Sequence, residues 1–189
     1  NARSARTSAT LTRYAKFRPS NLLVKPRLQL VTAINEHLLQ SLTVLGFKYS
    51  PSRLSFKRAA GDYIQEFSFS LNRHNTTNSC NFWTMWGISH RHFARWYKTE
   101  FSKSPPNSVI WSSPDWNIPE WPRKHGFNLE SAQSDRLEIA NLLQAILKLG
   151  IPTLERFSHL ETILNARNPQ LPPLQIVDLF LFSNRKKEA

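Results

Sequence analysis

The sequence predicts an α+β domain: an antiparallel sheet flanked by helices, with a helical C-terminal half and a basic N-terminal arm. Three observations carry that expectation. Apolar residues recur at helical spacing through residues 27–45, and apolar and polar residues alternate at strand spacing through residues 54–71. Helical spacing then returns after a Pro- and Trp-rich stretch that ends near residue 126. The division this suggests is a basic arm or extension over 1–27, one domain over 28–183 and a basic tail over 184–189.

Pro26 stands where a helix can open. Val31, Ile34, Leu38, Leu42 and Leu45 follow as a stripe, and Gly46 can supply a left-handed C-cap, so a helix is expected over 27–45. A strand over 53–58 comes next, with Leu54, Phe56 and Arg58 alternating with Ser55 and Lys57, and Ala60-Gly61 makes a turn. In a second strand over 63–73, Tyr63, Phe67, Phe69 and Leu71 face one way, and Glu66, Ser68, Ser70 and Asn72 the other. Residues 74–79 form a polar loop. The third strand covers 81–89; residues 81–90 are apolar on both faces, which predicts a central position, and Gly87 marks a bulge or a close packing contact. These three strands should pair antiparallel with helix 27–45 on one face.

Residues 91–101 read as a helix. Arg91, Arg95 and Lys98 would lie within about 80° of one another, with Phe93, Trp96, Tyr97 and Phe101 on the other side. Residues 104–126 read as a long loop. Asp135-x-x-Glu138 has the form of a capping box for a helix whose stripe is Leu142, Leu143, Ile146 and Leu147 and which Gly150 would end. Pro152 opens a short helix, Ser158-x-x-Glu161 caps another that runs to about Arg167, and residues 174–182 form a last apolar helix after Pro172-Pro173.

The order of a helix, Gly46-Phe47-Lys48, a strand containing Phe56-Lys57-Arg58, a further strand, and a strand ending Trp86-Gly87-Ile88 resembles a bacterial family of small α+β domains classed only as a domain of unknown function. The later run from Gly150 through Ile151, Pro152, Thr153, Leu154, Glu155 and Arg156 to Phe157 resembles it as well, and the likeness spans roughly residues 30–167. It implies a fold and a bacterial source, and it transfers no catalytic residue. Similar small α+β proteins serve as binding partners, among them immunity proteins of bacterial toxin systems. That implies a binding role.

Charge narrows the partners. Formal net charge is +12, and residues 1–27 hold seven Lys/Arg and no acid, so an anionic partner would be sought at the front of the chain. Arg13, Lys16 and Arg18 of the arm, with Arg91, Arg95 and Lys98, are the candidate anion- or nucleic-acid-binding residues. The aromatics of 91–101 fall on the opposite helical side from the basic residues, which leaves charge alone as that signal. No named nucleic-acid motif is present.

Cofactors are not expected. The five glycines stand far apart, whereas a phosphate cradle needs them close together so that backbone can approach phosphate without a Cβ. His90-x-His92 could share a face if extended, but no Cys or carboxylate lies beside it, so no metal is expected. Pro114-Asp115 lacks the downstream acidic-x-Lys strand of a metal-dependent nuclease. Cys80, the one cysteine, forms no intrachain disulfide and fits a reducing compartment or an indifferent one, and the cytoplasm is the location expected. It reads as a small inert residue. No stretch approaches 18 consecutive apolar residues, so no membrane contact is expected.

Trp111, Trp116 and Trp121 stand five apart, broken by Pro114, Pro119 and Pro122. Such a segment can hold an aromatic ledge toward a protein or peptide, or tuck down as a lid over the sheet. The reading favoured is a non-catalytic binding domain that contacts a protein or peptide through the sheet edge or these tryptophans. One alternative is nucleic-acid binding through the arm and the Arg91/Arg95/Lys98 face. A second is a hydrolase or transferase built on Cys80 and a histidine.

Overall fold

The computed structural model describes residues 25–77, 79–105, 107–123, 125–130, 132–166 and 173–186. Arg13, Lys16 and Arg18 of the arm and residues 187–189 of the tail lie outside them.

Pro26 opens α1 (Pro26–Ala33), which runs through a π-helical turn (Ile34–Leu38) into α2 (Leu39–Val44). Of the expected stripe Ile34, Leu38 and Leu42 are buried, Val31 is half-buried and Leu45 is exposed, while Leu30, outside that stripe, is buried in its place. The helix ends as its sequence foretells. Gly46 adopts φ 83°, its N–H reaches Thr43 O at 2.9 Å, and the Phe47 N–H reaches Leu42 O at 3.1 Å. These are the two bonds of a Schellman cap, and only glycine takes that backbone angle without strain.

Six strands follow in one antiparallel sheet: β1 (Lys48–Ser50), β2 (Ser55–Ala60), β3 (Tyr63–Leu71), β4 (Cys80–His90), β5 (Val109–Pro114) and β6 (Phe127–Leu129). Their order is β1-β2-β3-β4-β5. β6 pairs with the far half of β4, at Cys80–Phe82, while β5 pairs with Met85–Ser89. β4 is thus central, as its apolar run predicts. The expected strand 53–58 is displaced to Ser55–Ala60, because Leu54 sits at φ 50° in the turn that separates β1 from β2.

The stretch 104–126 is a correction, since β5 and a 3-10 turn (Asp115–Asn117) lie within it. Its prolines hide the strand in the sequence, yet Pro114 ends β5 and interrupts no ladder there.

After β4 comes α3 (Phe93–Phe101), close to its expected span. The C-terminal half is helical: α4 (Ala132–Ala145), a π-helical turn (Ile146–Gly150), α5 (Ile151–Arg156), α6 (Leu160–Asn165) and α7 (Pro173–Lys186). Gly150 does not end a helix. It stays helical at φ −66°, and the chain turns on through Pro152 without a break. The π-helical turn just before Pro152 alters the bonding register where proline offers no N–H.

The two expected capping boxes are also not formed. Asp135 lies inside the first turn of α4, where its carboxylate accepts the Glu130 N–H at 2.7 Å, while Glu138 pairs with Arg123 at 2.6 Å. Ser158 donates to Leu154 O at 2.8 Å, and His159 holds the N-cap of α6.

Continuity through Gly150 makes Asp135–Arg156 a 22-residue helix long and apolar enough to cross a bilayer by length and composition. Ile139, Leu142, Ile146 and Leu154 are buried in the protein core, so one side of this helix packs within the protein.

The helices meet the sheet on one face. Gly150 lies on Trp86, Phe157 stacks on Trp111 at 4.6 Å, and Phe182 meets His90 at 4.9 Å. The Leu160 N–H donates to the Tyr63 hydroxyl at 2.9 Å, and Gln65 donates to Ser158 at 2.7 Å. Along β4 the even-numbered residues from Cys80 to His90 are buried and the odd-numbered ones are half-buried. The apolar residues on both faces of β4 therefore do not mark a sheet covered on both sides.

Gly150 has the sharpest steric constraint. A Cβ there would overlap the Trp86 ring. Alanine normally stabilises a helix interior over glycine by about 1 kcal/mol. Gly150→Ala should instead destabilise the protein by about 1–3 kcal/mol, because the ring has nowhere to go. Urea denaturation of the two proteins checks the sign.

Candidate interaction surfaces

A buried polar chain holds the tryptophan segment to the sheet. The Trp86 indole N–H donates to Thr84 Oγ1 at 2.8 Å, and the Thr84 hydroxyl donates to Asp115 Oδ2 at 3.0 Å. The Thr84 backbone N–H reaches the same oxygen at 2.7 Å. Asp115 is fully buried at the start of the 3-10 turn, where its carbonyl accepts the Ile118 N–H at 2.9 Å. Burial pushes its carboxyl above the ordinary carboxylate range, and the hydrogen bonds from Thr84 and the Trp116 amide pull it partly back. Sequence reasoning placed Asp115 in a loop without a role. Its partner Thr84 is 31 positions away, so no local pattern could reveal it.

The three tryptophans divide. Trp111 lies buried against Phe157, and Trp121 lies buried with its ring edge-on to Trp86 at 5.8 Å. Trp116 alone faces solvent, 46% exposed, with its ring 6.2 Å from that of Trp83. Trp83 and Met85 lie on the outward face of β4, with Ser70 and Ser68 directly opposite on β3. Trp116 and half-buried Trp83 and Met85 form an apolar patch there, and Ile64 and Val109 lie further along the same face. Trp83 and Met85 were missed as site residues. The signal was their odd position in a strand whose even positions are the core.

The sheet edges are blunt. β1 has three residues, and β5 ends in Pro114 and gives its Val109 carbonyl to Gln175 Nε2 at 2.6 Å.

Arg95 and Lys98 are exposed on α3, and Arg91 is exposed in the turn before that helix. None of the three joins an ion pair among the described residues. Phe93 and Tyr97 are buried and Trp96 packs on Phe182, so these aromatics of α3 belong to the core, whereas Phe101 is exposed.

Cys80 is fully buried and pairs in register with Leu129. Burial pushes its thiol up to about 12, far from the thiolate that a nucleophile needs. His90 stands at the opposite end of β4, where its Nδ1 accepts the His92 N–H at 3.1 Å. His92 turns to Asp62 at 3.4 Å. No group of three His, Cys, Asp or Glu side chains is placed to hold a metal ion among the described residues. An open cleft of about 400 Å³ lies between Pro122 and the Asn141–Lys148 side of the long helix, but Arg123 at its rim is engaged by Glu138.

Comparison with protein-family models, with curated proteins and with solved structures finds no match.

Asp115 yields a test with a definite sign. Its folded carboxyl titrates above the ordinary value of 3.8, so the folded state holds the proton more tightly than the unfolded chain. The stability this group contributes is full below 3.8 and is lost as pH rises through the raised folded value. Asp115→Asn should flatten that part of the pH–stability curve. Asp115→Ala should destabilise by about 2 kcal/mol or more at neutral pH, since two buried Thr84 donors lose their acceptor. Thermal melts across pH 3–7 for the three proteins distinguish these outcomes.

Proposed function

We propose that this chain is a non-catalytic binding domain whose contact surface for a protein or peptide is the outward sheet face around Trp116, Trp83 and Met85. The observation that carries it is the exposed Trp116 beside Trp83, on a turn anchored by buried Asp115. A tryptophan offers large contact area at low entropic cost, and an anchored turn keeps that cost low. The surrounding Ser68 and Ser70 supply a polar rim. The blunt edges favour the face over strand addition, and the buried thiol weighs against the Cys80 hydrolase or transferase. The pattern-level resemblance to a family of unknown function is compatible with a binding role.

A displayed peptide library selected on the full chain provides the test. Selected peptides should lose about tenfold or more in affinity on Trp116→Ala, and somewhat less on Trp83→Ala, with melting unchanged within a few degrees. Peptides that bind both variants as tightly as the parent would remove the sheet face as the site.

A second reading, nucleic-acid binding, is favoured by the exposed Arg91, Arg95 and Lys98, none ion-paired among the described residues. Neutralising them should weaken oligonucleotide binding about equally across sequences, and each lost phosphate contact should lower the salt slope by about one. Titrating a labelled oligonucleotide at two salt concentrations decides it. Absence of binding at low salt sinks this reading, because a +12 chain is most favoured there.

A further inference from the structure

The cleft between the tryptophan segment and the long C-terminal helix has a volume of about 400 Å³, within the range of small-molecule sites. Asn141, Gln144, Ala145 and Lys148, spaced as one side of a helix, line its helical wall. Glu120, Pro122 and Arg123 line the wall made by the loop. Ala145 is buried and Leu149 half-buried, and with Pro122 they make the lining mainly apolar. An apolar floor with a few polar groups around it is the usual form of a ligand site.

Most of those polar groups have no partner in the fold. Arg123 is neutralised by Glu138 at 2.6 Å. Glu120 and Lys148 join no ion pair among the described residues, either with each other or with a third group. The carboxamides of Asn141 and Gln144 likewise make no side-chain hydrogen bond among the described residues.

Glu120 holds its place against a steric preference. The Trp121 N–H bonds to Ile118 O at 3.2 Å, so Pro119 and Glu120 are the central pair of a four-residue turn. Glu120 has φ 63°. Proline at the first central place and a positive φ at the second belong to the type II turn, whose second place favours glycine or asparagine. A glutamate there carries backbone strain that glycine would relieve. Buried Trp121 holds the turn in the core, which keeps the carboxylate on the wall of the cleft.

Charge indicates the occupant. With Arg123 neutralised, the lining keeps one cation, Lys148 on the helix, and one anion, Glu120 on the loop. A simple anion would match Lys148 and face the Glu120 carboxylate, and a simple cation would meet the reverse. A ligand with both charges and an apolar group matches both walls and the floor.

We propose that this cleft binds a free α-amino acid with an apolar side chain, its carboxylate toward Lys148, its ammonium toward Glu120 and its side chain on Ala145 and Leu149. The site is separate from the Trp116 face and goes beyond the protein or peptide contact proposed there.

L-Leucine, N-acetyl-L-leucine and L-leucinamide are the probes, titrated against the full chain and followed by amide chemical shifts. Leucine should bind saturably. The acetyl form lacks the ammonium and the amide lacks the carboxylate, so each should bind at least about tenfold more weakly. Lys148→Met should weaken leucine about tenfold and leave leucinamide unchanged. Glu120→Gly should weaken leucine about tenfold and leave N-acetyl-leucine unchanged, because each variant removes only the charge that the matching analogue cannot use. Glu120→Gly should also melt no lower than the parent, since it relieves the turn. Trp116→Ala should leave leucine binding unchanged, which separates failure of this site from failure of the sheet face. Absence of saturable leucine binding overturns the proposal. Binding of either blocked analogue as tightly as leucine overturns it too, as does a loss in either variant that all three probes share.

Discussion

Trp86 is the residue through which the parts of this protein hold one another. Its ring stacks on Phe67 at 4.6 Å within the sheet, meets Trp121 edge-on, and lies against Gly150 in the long C-terminal helix. Its indole N–H begins the polar chain through Thr84 to Asp115. Sheet, helical layer and tryptophan segment therefore converge on one side chain. Burying a tryptophan removes about 150–250 Å² from water, worth about 4–6 kcal/mol by area. A glycine within a helix costs about 1 kcal/mol relative to alanine. The contact outweighs the propensity, which is why a glycine sits inside this helix.

The one-sided packing has consequences beyond the core. With the helices on the even-numbered face of β4, the odd-numbered face is left half-exposed. The Asp115 anchor then does two things. It closes the tryptophan segment over the end of the sheet, so that Trp121 completes the core, and it leaves Trp116 outside beside Trp83. A carboxylate is expensive to bury without donors, and here Thr84 supplies two. The polar chain positions the turn at a cost in pH-dependent stability.

Cys80 and His90 are not placed as a nucleophile and its base. Cys80 lies deep beside Leu129 with its thiol held protonated, while His90 packs among Tyr63 and Phe182 at the far end of the same strand. Trp116 beside half-buried Trp83, the outer side of α7 and the basic residues of α3 are among the exposed features.

The sequence by itself determined what depends on neighbours a few residues away. Period-two alternation set out β2 and β3, an apolar run set out β4, the stripe through Ile34, Leu38 and Leu42 set out the first helix, and Gly46 set its end. It also separated the basic side of α3 from its aromatic side. Only the tertiary structure decided the rest. Gly150 resembled a helix stop because glycine often ends helices, but its role is set by Trp86, 64 positions earlier. Trp111, Trp116 and Trp121 were equivalent by spacing, and their fates parted because Phe157 and Trp86 bury two of them while nothing described covers the third. The strands β5 and β6 were hidden among prolines and polar residues because their pairing partner is β4. Local patterns report the chain's own periodicity; burial and close approach are properties of pairs, and these pairs are distant in sequence.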